Sequence, residues 1–201
     1  MPSLNLTVKP LLHTLAVALA AAGICSCSTR GNDATVPKPE AWPRIEVPAE
    51  EYTEHSFDNV SLTLNSVATV SGEAKDEGTW INITYPTFQN AHLYLTLSGA
   101  KSPDELKAIL DNRRERMELN TGGAVTELTE LTSDGGWEGL LAVTRSSLTT
   151  PVQLLAHDGN KVLSGVLYFN FPADTPADSV APIVKTVRRD MIHALKHLRS
   201  L

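Results

Sequence analysis

The sequence predicts an α+β fold: a mainly antiparallel β-sheet of about six to seven strands with two packed helices. Period-two runs rich in Val, Ile, Thr and Tyr recur along the chain, whereas two segments place apolar residues at helical spacing. The element order is three strands, a helix, four strands and a second helix. It contains no regular βαβ alternation, which favours antiparallel pairing.

Strands are expected at 61–71, 79–85 and 91–98. Ser102-Pro103-Asp104-Glu105 then has the spacing of a capping box, with Pro at the first helical position. Leu106, Ile109 and Leu110 continue at helical spacing, and Gly122-Gly123 stop that helix. Four more strands are expected at 125–131, 137–144, 152–156 and 162–171. Asp134-Gly135-Gly136 and His157-Asp158-Gly159-Asn160 are turn signals, because Asp, Gly and Asn tolerate turn dihedrals. The second helix is expected to begin near Asp178, and Pro182 fits only near its first turn. Val180, Ile183, Val184, Val187, Met191, Ala194, Leu195 and Leu198 form its apolar stripe. The stripe predicts a helix that closes the core against the sheet.

Residues 1–26 read as an export signal. Lys9 gives a weak positive start, and the apolar run from Leu11 to Ala22 is shorter than the roughly 20 residues that span a bilayer. Ile24-Cys25-Ser26-Cys27 follows and resembles a bacterial lipobox, with a branched aliphatic and a small residue in the required places before Cys27. Cys25 would have Ala22 and Ile24 there, a poorer fit, so lipidation is expected at Cys27. Each buried CH₂ of an acyl chain contributes about 0.8 kcal/mol, so several chains would anchor the protein stably. Residues 27–42 combine the lipidated cysteine with a small, polar, Pro-containing tether, and 43–201 form a single α+β domain.

Of 201 residues, 42% are hydrophobic and 20% charged, as in an ordinary soluble domain. A body of roughly 160 residues can bury about 70% of its unfolded surface without staples. The formal charge is −6, and no long basic stripe is present, which argues against nucleic acid as a partner. After Cys27 there is no cysteine, so thiol catalysis and disulfides are excluded from the body.

No nucleophile elbow, P-loop, dinucleotide fingerprint or zinc-protease motif occurs. His193 and His197 stand four apart with Asp190 three before His193, a spacing that can present two ligands to one metal. With no third ligand indicated, they are expected on a solvated helix face. His157 falls in a hairpin turn and His55 in an approach loop, while Glu50-Glu51 and Asp76-Glu77 read as solubilising charge. Arg113, Arg114 and Arg116 cluster late in the first helix. Lys185, Arg189 and Lys196 share the exposed side of the second, flanked by Arg188 and Arg199. Both clusters suit the negative end of a helix dipole, and a surface for anionic headgroups or an acidic partner is the alternative. No catalytic, cofactor-binding or metal residue is assigned, and the expectation is a protein that is not an enzyme.

Pro37-Lys38-Pro39-Glu40-Ala41-Trp42-Pro43-Arg44-Ile45-Glu46-Val47-Pro48 and Tyr52 resemble the opening of the mature domain in the GldD gliding motility lipoproteins. Trp80-Ile81-Asn82-Ile83-Thr84-Tyr85-Pro86 is similar to that family's Trp-x-Asn-Ile-x-Tyr-Pro strand. Gly165-Val166-Leu167-Tyr168-Phe169-Asn170 and Asp178-Ser179-Val180-Ala181-Pro182 resemble its last strand and helix entry. Glu40-Ala41 depart from the family's usual Arg-Gly. The resemblance implies a membrane-anchored, non-enzymatic accessory lipoprotein of the gliding machinery and its linked protein-secretion apparatus, with no cofactor. Its partners would be membrane lipid, through acylated Cys27, and other envelope proteins. It also implies a lipid anchor in the cell membrane or outer membrane. Ser28-Thr29-Arg30-Gly31-Asn32 lack the acidic residues expected of surface lipoproteins in that bacterial group, so the domain should face the periplasm. A periplasmic ligand- or glycan-binding lipoprotein, with a cleft between sheet and helices, is the alternative.

Overall fold

A computed structural model describes residues 45–88, 91–145, 150–172 and 175–201. The leader, Cys27 and the tether lie outside these residues. The described chain is α+β as expected, but its strands form two antiparallel sheets rather than one.

β1 (Tyr52–Phe57) and β2 (Val60–Asn65) form a hairpin. Its two-residue turn holds Asp58 and Asn59 at φ 45° and 60°, the left-handed region that Asx residues tolerate best after Gly. The run 61–71, expected as one strand, divides at Asn65. That side chain accepts the Val67 amide at 3.1 Å, while the Asn65 carbonyl accepts the Ala68 amide. This local turn competes with the ladder, and the chain resumes as β3 (Thr69–Lys75) in the second sheet.

The larger sheet adds β4 (Gly78–Thr84), β5 (Ala91–Gly99), β6 (Thr126–Thr132), β7 (Glu138–Thr144), β8 (Val152–His157) and β9 (Lys161–Phe169). Its order is β3-β4-β5-β9-β8-β7-β6, with every pairing antiparallel. The Asp158 turn forms as expected, its carboxylate accepting the Asn160 and Lys161 amides at 3.0 and 2.8 Å.

Helix α1 (Pro103–Thr121) starts where Ser102 Oγ accepts the Glu105 amide and ends at a left-handed Gly122, φ 57°. Helix α2 (Ala177–Lys196) places Pro182 in its second turn rather than its first. Leu198 belongs to the apolar stripe but lies beyond the helix. There the chain turns into a short β10 (Arg199–Ser200), which pairs with β2 and completes the small sheet. Gly135 is required at that corner: a Cβ would stand 2.5 Å from the Leu198 carbonyl oxygen.

Alternation decides the two faces of the large sheet. Ile81, Ile83, Leu93, Leu95, Leu97, Leu163 and Leu167 point inward. They meet Val60, Leu62 and Leu64 of β2 and the whole stripe of α2. The small sheet seats closely, with Phe57 against the bare backbone of Gly72. On the outer face α1 packs Leu110 and Met117 onto Ala142, Leu155 and Val162. This second helix–sheet layer spans β7, β8 and β9 and leaves the outer side of β3, β4 and β5 open.

Candidate functional site

Two features stand out, one buried beneath α2 and one on the open outer face of the large sheet. The first is built on Asp190. It lies three residues after Val187 and four before Ala194, so helical geometry puts it on the apolar stripe. Its side chain has no exposed surface. The expectation of a solvated face at Asp190 is therefore overturned.

A buried carboxylate needs donors, and four side chains supply them. Tyr52 and Tyr85 donate their hydroxyls at 3.0 and 2.9 Å, and Asn65 donates its amide at 3.1 Å. Arg189 donates through Nε at 2.9 Å and also reaches Glu50 at 3.1 Å. The Asn65 amide also donates to the Ala49 carbonyl at 2.9 Å. Asp190 thus ties α2 to the 48–52 segment, to β2 and to the loop after β4.

Burial, reinforced by the Asp190 charge, holds the Tyr85 and Tyr52 phenols protonated well above the ordinary tyrosine range. For Arg189, burial opposes the charge, but the hydrogen bond and charge of Asp190 outweigh it and raise the guanidinium pKa. The four side chains that donate to the carboxylate spend their remaining donors on Ala49, Glu50 and Pro48, which suits a clamp better than a proton-transfer centre.

His193 stacks on Tyr52 at 3.6 Å between ring centroids, and His197 stacks on His193 at 4.2 Å. Burial and then the His197 charge depress the His193 pKa. His193 is thus half-buried beside the clamp rather than on a solvated face. Among the described residues no cluster of His, Cys, Asp and Glu could hold a metal ion. His55 lies in β1 rather than in an approach loop, 6.3 Å from the Phe57 ring, and His157 ends β8 facing Glu138 at 3.5 Å.

The basic clusters also differ from expectation. Arg113, Arg114 and Arg116 stand before the last turn of α1, which holds no basic residue, so dipole alignment does not account for them. On α2, Lys185 and Lys196 are exposed and form no ion pair among the described residues. Arg188 pairs with Glu127, Arg189 with Glu50 and Asp190, and Arg199 with Glu54.

The second feature is the uncovered outer face. Trp80 on β4, Tyr94 on β5 and Tyr168 on β9 are 52%, 46% and 42% exposed. Tyr94 lies 5.9 Å from Tyr168 and 6.1 Å from His92, and Lys75 stands 5.8 Å over Trp80. Along one side Arg113 and Arg116 of α1 wall a groove of about 410 Å³ over Tyr94, Thr96, Ser164 and Tyr168. The groove continues through Tyr94 and Thr96 into one of about 580 Å³ over Ser71, Trp80 and Asn82.

Two of the sequence segments that carried the family resemblance meet at the clamp: Tyr52 follows the Pro-rich opening, and Tyr85 closes the Trp-x-Asn-Ile-x-Tyr-Pro strand. The model of the gliding motility lipoprotein family GldD matches residues 32–199. The chain belongs to the GldD family. Membership makes it a gliding motility lipoprotein of the cell envelope. A comparison with curated proteins returns no match.

The clamp was legible in part. Tyr52 and Tyr85 stood inside the motifs, and the stripe spacing pointed Asp190 inward. The pairing of residues 138 and 105 positions apart carries no local signal. Among the described residues no helix is long and apolar enough to cross a membrane.

Proposed function

We propose that this GldD-family chain is a membrane-anchored, non-enzymatic accessory part of the gliding motility machinery and of its associated protein-secretion apparatus. Acylated Cys27 holds it to the cell membrane or outer membrane, residues 28–42 form the tether, and 43–201 form one domain facing the periplasm. The observation that carries this reading is the family match over 32–199 directly behind Ile24-Cys25-Ser26-Cys27. The buried polar cluster supports it, because its carboxylate is consumed by Tyr52, Tyr85, Asn65 and Arg189 and none of these is left to act on a substrate.

The anchor is tested by fractionation. Cys27→Ser should move the protein from membranes to the soluble fraction, whereas Cys25→Ser should leave it membrane-bound. Equal behaviour of the two variants refutes the assignment to Cys27. The accessory role is tested by crosslinking native membranes and recovering the protein. Other envelope proteins of the machinery should come with it, and recovery without any of them counts against the role. Protease added to intact cells should spare a domain that faces the periplasm, and its degradation would place the domain outside.

A further inference from the structure

The two flanks of α1 on the outer face differ in chemistry. On one flank Arg114 lines a groove with Glu130 and Glu138, so its charge is balanced nearby. On the other, Arg113 and Arg116 face the aromatic surface, and neither forms an ion pair among the described residues. Two guanidiniums one turn apart repel each other. Burial, and then the charge of Arg116, lower the Arg113 pKa, against a weak pull from Glu77. The groove therefore brings together two guanidiniums that have no ion-pair partner among the described residues, in a protein whose formal charge is −6. Glu73, the carboxylate in the lining of its continuation, is paired with Lys75.

The floor of the same groove carries rings on three adjacent strands, Trp80, Tyr94 and Tyr168, separated by Ser71, Asn82, Thr96 and Ser164. Asn82 adds a buried side-chain oxygen that has no hydrogen-bond partner among the described residues. An aromatic face is electron-rich and attracts polarised C–H groups, which the faces of pyranose rings present in a row. Hydroxyls and amides between the rings match sugar hydroxyls. An aliphatic protein surface laid on them would bury them unpaired, at a cost. Guanidiniums bind carboxylate, phosphate and sulfate oxygens through paired N–H donors.

We propose that the groove between α1 and the outer side of β4, β5 and β9 binds an acidic glycan, a run of pyranose rings bearing anionic groups. The rings of the chain lie over Trp80, Tyr94 and Tyr168, and its anionic groups meet Arg113 and Arg116. This goes beyond the accessory role and does not depend on Cys27 or on motility. Its failure would leave that role standing.

The test uses the full-length protein in a polyoxyethylene detergent, which carries no sugar. It is applied to an array of oligosaccharides bearing uronate, phosphate or sulfate, with neutral chains of matched length. Binding to acidic chains should exceed binding to neutral ones at least tenfold and weaken with salt. Trp80→Ala and Tyr94→Ala should each weaken it about tenfold with an unchanged melting temperature. Arg113→Gln combined with Arg116→Gln should abolish the preference for acidic chains while leaving the weak neutral binding. Absence of binding to every acidic chain overturns the proposal, as does binding that neither aromatic substitution reduces. If instead the aromatic substitutions abolish crosslinking of a protein neighbour in intact cells, without any glycan signal, the face is a protein dock and the glycan proposal is wrong.

Discussion

The inner and outer faces of the large sheet come from the same strands, yet they are finished differently. Inward, Ile81, Ile83, Leu93, Leu95 and Leu167 are at most 2% exposed beneath α2 and the small sheet. Outward, α1 covers β7, β8 and the Val162 end of β9, and Trp80, Tyr94 and Tyr168 stand in the open. A strand forced to bury both faces loses its alternation of exposure, as Val152–His157 does, where even Gln153 is buried on hydrogen bonds to α1; one that keeps a wet face alternates, as Gly78–Thr84 does. The lesson is a division along β4 and β5: alternate positions close the core on one side and stay open to solvent on the other. The clamp at Asp190 belongs to the first, since it fastens the elements that close the inner core.

If this division holds, the largest loss of stability follows a charge placed under α2. Val187 has no exposed surface, and Val187→Asp puts a carboxylate there without donors. The group must neutralise or force local unfolding, at a cost of several kcal/mol against a typical total of about 5–15. The denaturant midpoint should collapse, and wild-type stability in this variant would mean that α2 does not seal the sheet. Asp190→Asn should come next. It removes the charge that Arg189 is paired with and turns an acceptor into a donor among donors. Breaking such a buried pair costs roughly 3 kcal/mol, read as a lowered denaturation midpoint. A cost near that of an exposed substitution would show that the network is dispensable. For the same reason Arg189→Glu is a structural lesion rather than a probe of a basic surface, whereas Lys196→Glu, at an exposed site, should cost less than about 1 kcal/mol.

Much of this arrangement was legible in the sequence, and the failures have physical causes. Six of the seven strands of the large sheet, both helices, the Ser102 cap, the Gly122 stop and the Asp158 turn carry local signals, and they stand where those signals put them. The seventh, β3, was hidden in the single run expected at 61–71, which the turn at Asn65 divides between the two sheets. β1 was missed because Thr53, Glu54 and Ser56 leave it no apolar alternation. β10 was missed because two residues give no period at all. Asp190 was misread because Asp weighs against burial unless partners are known, and Tyr52 and Tyr85 become its partners only in the fold. The alternation around Ile81 and Ile83 set Trp80 on the opposite face, but where α1 would stop covering that face depends on tertiary packing.

The clamp also predicts how stability responds to alkali. Tyr85 and Tyr52 have pKa values raised in the folded state, by burial first and then by the Asp190 charge. Above a pH of about 10 the unfolded chain releases these protons while the folded chain keeps them, so the folded state binds more protons. Stability is therefore fully present below that pH and falls as pH rises beyond it. Tyr85→Phe removes one hydrogen bond, costing about 1 kcal/mol at neutral pH, and should flatten the decline between pH 10 and 11. Equal slopes for wild type and variant, measured by urea denaturation, would separate Tyr85 from the clamp.

The smallest effect should fall on the open face. Trp80 and Trp137 are the same side chain at opposite extremes, 52% and 1% exposed. Trp137 packs within the inner core, so Trp137→Ala removes a buried ring and leaves a cavity, worth about 3–5 kcal/mol. Trp80 touches Lys75 through a cation–π contact at an exposed site, which contributes about 0.5–1 kcal/mol. Trp80→Ala deletes that contact and the half of the ring that is covered, and leaves no enclosed cavity, so its cost should fall well below that of Trp137→Ala. Matched urea denaturation of the two alanine variants measures the asymmetry between the faces directly. A Trp80→Ala cost approaching that of Trp137→Ala would show that the outer face of β4 is packed in the folded protein, and the distinction between a sealed face and an open one would fail there.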